Sequence, residues 1–108
     1  MIPFTRPLVA ENELHYLSRA SQNQRPWGGG DFFKVASEAL TSILGGKEVL
    51  LTQSCTSALE LAALALDIQP GDEVIVPSYT FVSSASAFAL RGARIVYADS
   101  REQDLNID

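Results

Sequence analysis

An α/β fold, with parallel strands joined by crossover helices, is what this sequence predicts. Three observations predict it. Short runs rich in Val and Ile alternate with alanine-rich runs of helical length through the second half of the chain. Turn residues such as Pro70-Gly71-Asp72 and Arg91-Gly92-Ala93 stand between them. Small hydroxyl residues, Ser54-Cys55-Thr56-Ser57, sit where a strand would hand over to a helix.

The elements follow in order. Residues 1–9 read as extended, because Pro3 and Pro7 disfavour helix. Residues 10–20 read as a short helix with Leu14, Leu17 and Ala20 on one face, and residues 21–30 as a loop ending in Gly28-Gly29-Gly30. Asp31 can cap the next helix, whose stripe is Phe32, Ala36, Ala39, Leu40, Ile43 and Leu44. Gly45-Gly46 ends it. Val49-Leu50-Leu51-Thr52 reads as a buried strand, Ser54 to Ser57 as a turn, and about Ala58 to Asp67 as a helix. Glu73-Val74-Ile75-Val76-Pro77 reads as a second strand, residues 79–90 as a helix, and Arg94-Ile95-Val96-Tyr97-Ala98 as a third strand. The organisation expected is an arm, helix and glycine-rich loop over 1–30, then a helix followed by β-α-β-α-β over 31–108. Strands so spaced imply parallel pairing with right-handed crossovers.

Composition narrows the function. A chain of 108 residues with 46% hydrophobic content suits one small soluble domain. The net charge is −5 and the eight Lys and Arg are scattered, which argues against nucleic acid and anionic membranes as partners. The single cysteine, Cys55, excludes an internal disulfide and a CxxC metal site, and points to a reducing compartment. The start lacks the pattern of a signal peptide, so the expected location is cytoplasmic. The last strand has no helix after it to cover it, whereas parallel sheets are covered on both faces. The expectation is a fragment of a longer protein that self-associates through its open edge.

In open α/β sheets, ligands bind beyond the carboxyl ends of the strands. Two segments belong there, Thr52 to Ser57 and Pro77 to Ser83. Amides at a helix N-terminus carry partial positive charge and suit a phosphate, and Thr56 adds a hydroxyl. The alternative is that Ser54 and Thr56 are plain helix caps. Tyr79 and Phe81 can stack on a planar ligand, or Phe81 can simply fill the core. Cys55 has no base near it in sequence and reads as a packing residue rather than a nucleophile. His15, the only histidine, reads as structural.

The segments SCTSALELA and PGDEVIVPSYTFVSSA, at this spacing, resemble the first part of the DegT/DnrJ/EryC1/StrS aminotransferase family. The opening Ile2-Pro3-Phe4, the glycine-rich loop before Phe32, and the closing Leu105-Asn106-Ile107-Asp108 agree, so the resemblance covers essentially the whole chain. It implies the N-terminal part of the large domain of the aspartate-aminotransferase (type I) fold, in a homodimer with pyridoxal 5′-phosphate (PLP) as cofactor. It implies that the amides of Cys55 and Thr56 with the Thr56 hydroxyl, entered through Ser54, hold the cofactor phosphate, and that Phe81 stacks on the pyridine ring. Trp27-Gly28-Gly29-Gly30 would lie where family members approach the sugar nucleotide. The activity implied is transfer of an amino group from glutamate to a 4-keto-6-deoxy sugar on a nucleoside diphosphate, with dTDP favoured, in surface-polysaccharide synthesis. No catalytic residue is assigned. Lys34 and Lys47, the only lysines, match no family position for the Schiff-base lysine, so these 108 residues alone are expected not to turn over. Asp99 is likewise not matched to the aspartate that pairs with the pyridine nitrogen. Two alternatives stand beside this: a non-catalytic binding or interaction module of the same fold, and an unrelated nucleotide-binding domain.

Overall fold

The computed structural model describes residues 2–23 and 29–108. The elements run α1 (Glu13–Gln22), α2 (Asp31–Ile43), α3 (Cys55–Ala65), β1 (Glu73–Pro77), α4 (Ser83–Ala89) and β2 (Arg94–Ala98). They fall into two compact units, Met1–Leu50 and Leu51–Asp108. Helices α1 and α2 both fall in the first of these. The reason is aromatic packing between the two helices. Tyr16 meets Phe32 edge to face at 5.6 Å, and the Arg19 guanidinium lies 5.7 Å from the Phe32 centroid.

In the first unit, α1 begins at Glu13 rather than residue 10, and Glu13 Oε2 accepts the Ala10 amide at 3.1 Å. Gly30, in extended conformation, is the residue that precedes α2. Asp31, expected as the cap, is instead the first helical residue and accepts from Asn23 Nδ2 at 3.4 Å. The helix ends as Gly45-Gly46 predicts. Both glycines have positive φ, Gly45 N–H bonds Ser42 O, and Gly46 N–H reaches back to Thr41 O at 2.8 Å. Those two bonds satisfy carbonyls that the helix end leaves unpaired. The call on Trp27 and Gly28 lies outside the described residues.

Residues 49–52 form no strand. The sheet has two strands, β1 and β2. A strand exists by pairing, and an apolar run without a neighbouring ladder has no use for extended geometry. Leu50 is 76% exposed, and the Val49 carbonyl accepts the Ser37 hydroxyl instead. The second unit is thus α-β-α-β among the described residues.

The other two expected strands match residue for residue. They pair in parallel, with Glu73 opposite Arg94 and Pro77 opposite Ala98. The ladder is continued at its two ends by Arg94 N–H to Asp72 O and Ser78 N–H to Ala98 O, both 2.8 Å. Helix α4 connects the strands and packs on both, and α3 packs on α4. The buried residues are Ala63, Val76, Ala85 and Ala87. Alanines on facing helices let the two backbones approach closely, which is how short elements reach close packing. Along β1, Val76 is 4% exposed and Ile75 65%, so the strand has one covered and one open face. Gly92 turns the chain into β2 at φ 90°, and a Cβ there would meet Pro70 Cγ at 2.8 Å. Glycine is required at that turn by conformation and by space together.

A candidate cofactor site at the start of α3 and the loop after β1

Helix α3 begins three residues earlier than its composition predicts, and the cap explains this. Ser54 is extended (φ −158°, ψ 159°), and its Oγ accepts the Ser57 amide at 3.1 Å. The serine hydroxyls also lie 3.1 Å apart, and Ala58 N–H bonds the Ser54 carbonyl at 3.1 Å. Residues 55–57 are therefore the first helical turn rather than a free-standing turn. The cap reading of Ser54 holds, and its hydroxyl is engaged within the turn. The amides of Cys55 and Thr56, the first two of the helix, have no acceptor inside it by geometry. Cys55 is exposed and Thr56 half-buried.

The charge around this helix start differs from that of α1 and α2 and is shared by α4, whose first turn also holds no acid. Glu13 stands in the first turn of α1 and Asp31 in the first turn of α2, while the first turn of α3 holds no acid. An acid there would neutralise the helix dipole. Without one, the positive end of α3 is left to an anion from outside, and small side chains at 54–57 let a phosphate approach.

Phe81 was expected near the start of a helix. The structure places it in a loop, residues 78–82, that continues from the carboxyl end of β1 and enters α4 at Ser83. Side-chain hydroxyls favour the loop: Thr80 Oγ1 donates to Ser84 Oγ at 2.9 Å, and the Ser84 amide bonds Phe81 O at 3.0 Å. Phe81 is 74% exposed and Tyr79 81%, so neither ring fills the core. An exposed phenylalanine at a strand's carboxyl end is a face available for stacking. The groups these two segments offer are two backbone amides, the Thr56 hydroxyl and an exposed aromatic ring, a chemistry suited to a phosphate and a planar ring.

Other residues resolve more simply. Cys55 is a free, exposed thiol at the first helical position. His15 is exposed and stands edge-on to Tyr16 at 5.6 Å. Lys34 lies on α2 near Glu38, with 3.8 Å between charges, and is largely solvated. Among the described residues no cluster of His, Cys, Asp or Glu could hold a metal ion, and no helix is long and apolar enough to cross a membrane. Two features escaped sequence reasoning. One is a cleft of about 560 Å³ lined by Tyr16, Arg19, Asn23, Asp31, Phe32 and Val35. The other is Thr52, whose Oγ1 donates to the Ser54 carbonyl at 2.8 Å. The spacing of hydroxyls in Thr52-Gln53-Ser54 is the one sequence signal for it.

Comparison with known proteins identifies the family and the fold. Residues 7–108 match the DegT/DnrJ/EryC1/StrS aminotransferase family, and the chain belongs to that family. It is 34% identical over 108 residues to the spore coat polysaccharide biosynthesis protein SpsC of Bacillus subtilis, covering 99% of this chain and 27% of that one. It is 33% identical over 107 residues to the GDP-perosamine synthase of Caulobacter vibrioides, covering 99% and 29%. Among solved structures, the PLP form of the putative sugar aminotransferase Spr1654 from Streptococcus pneumoniae superposes with a TM-score of 0.83 at 30% identity, covering 99% and 27%. The fold is the N-terminal part of that of these aminotransferases. The chain spans 27–29% of the length of the curated relatives it matches over its whole extent.

Proposed function

We propose that residues 1–108 are the N-terminal portion of the PLP-binding large domain of a sugar-nucleotide aminotransferase. The reaction is transfer of an amino group from glutamate to a dTDP-linked 4-keto-6-deoxy sugar for lipopolysaccharide or other surface polysaccharide. The particular activity favoured by the resemblance is that of a dTDP-4-amino-4,6-dideoxygalactose transaminase, working as a cytoplasmic homodimer. The observation that supports this reading best is the acid-free, serine-capped first turn of α3, with its open amides at Cys55 and Thr56. Membership of the family supports reading that turn as a cofactor site rather than a generic anion site.

When bound, PLP supplies the electron sink for amino-group transfer. The chain's own residues hold and orient it. Cys55 N–H, Thr56 N–H and the Thr56 hydroxyl bind the phosphate dianion, whose charge the α3 dipole also favours. Phe81 would offer a ring face for stacking on the pyridine. Ser54 contributes by holding the turn. In this reading the lysine that carries the cofactor lies outside residues 1–108, because Lys34 and Lys47 match no family position for it.

The experiment is reconstitution of the protein encoded by the whole gene with PLP, glutamate and three keto sugars, carried by dTDP, GDP or UDP. The expected result is a 4-amino sugar by mass spectrometry, formed fastest on dTDP. Preference for GDP would keep the aminotransferase reading and overturn the dTDP assignment. Binding of PLP with no amino transfer to any of the three would favour the non-catalytic module.

A further inference from the structure

We draw no further inference here: the strongest candidate, the largely apolar cleft of about 560 Å³ that Tyr16, Arg19 and Asn23 of the α1 segment form with Asp31, Phe32 and Val35 of α2, carries none, because nothing in the structure shows what covers it.

Discussion

Helices α2 and α3 begin in opposite ways. α2 follows Gly30 with no side-chain cap, and Asp31 stands in its first turn. α3 follows Ser54, whose hydroxyl takes the Ser57 amide, and its first turn holds no acid. The first helix satisfies its positive end with its own carboxylate. The second satisfies one amide internally and leaves two amides and the dipole unanswered. A helix start that is well capped yet electrostatically unfinished is the local form of an anion site. The same contrast separates two phenylalanines. Phe32 packs against Tyr16 and Arg19, whereas Phe81 stands in solvent on a loop.

The sharpest way to break this comparison is to make α3 resemble α2. Thr56→Asp places a carboxylate in the first turn of α3. PLP affinity is expected to fall by about two orders of magnitude, from charge repulsion with the phosphate at close range. Helix stability should not fall with it, because an acid near a helix N-terminus is favourable. Equilibrium binding and thermal melting, measured on the same protein, should therefore move independently. Parallel loss of both would mean that the turn is structural only.

A second change removes one donor and keeps the helix. Cys55→Pro deletes the Cys55 N–H at the first helical position, where proline is well tolerated. Ser54 before it is already extended, the conformation that a residue preceding proline prefers. Loss of one hydrogen bond to a charged group predicts roughly a tenfold or greater rise in the PLP dissociation constant. Titration of the cofactor-free variant with PLP measures it. Unchanged affinity would remove the Cys55 amide from the site.

Phe81→Ala comes next. Loss of ring stacking is expected to weaken PLP by about three- to tenfold, and Phe81→Trp should retain most of the affinity. Because the ring is 74% exposed, the melting temperature of the cofactor-free variant should stay near that of wild type. A large drop in melting temperature would mean that the ring is packing rather than waiting for a ligand.

These expectations show how much the sequence discloses and where it stops. Strands 73–77 and 94–98 are legible to the residue, because β-branched runs bounded by Pro-Gly and Arg-Gly turns specify both ends locally. Residues 49–52 have the same local signature and form no strand, because pairing is supplied by a neighbour and not by the run itself. The starts of α3 and α4 are misjudged for a related reason. In a stretch of Ser and Thr, several hydroxyls are candidates to cap; geometry selects Ser54 for α3, while α4 starts after Val82 with no side-chain cap. The candidate site residues Ser54, Cys55, Thr56 and Phe81 are visible as pattern and resemblance.

The smallest expected effect separates backbone from side chain at one position. Cys55→Ala keeps the N–H and deletes the sulfur. The thiol is exposed and free, and alanine is at least as good a helix former. PLP affinity and melting temperature are both expected to stay within about twofold and about one degree of wild type. Set beside the loss expected for Cys55→Pro, that near-silence would assign the contribution of residue 55 to its amide. A large loss in Cys55→Ala would instead make the thiol part of the site. The unfinished helix end would then owe its function to the one side chain on it that can act as a nucleophile.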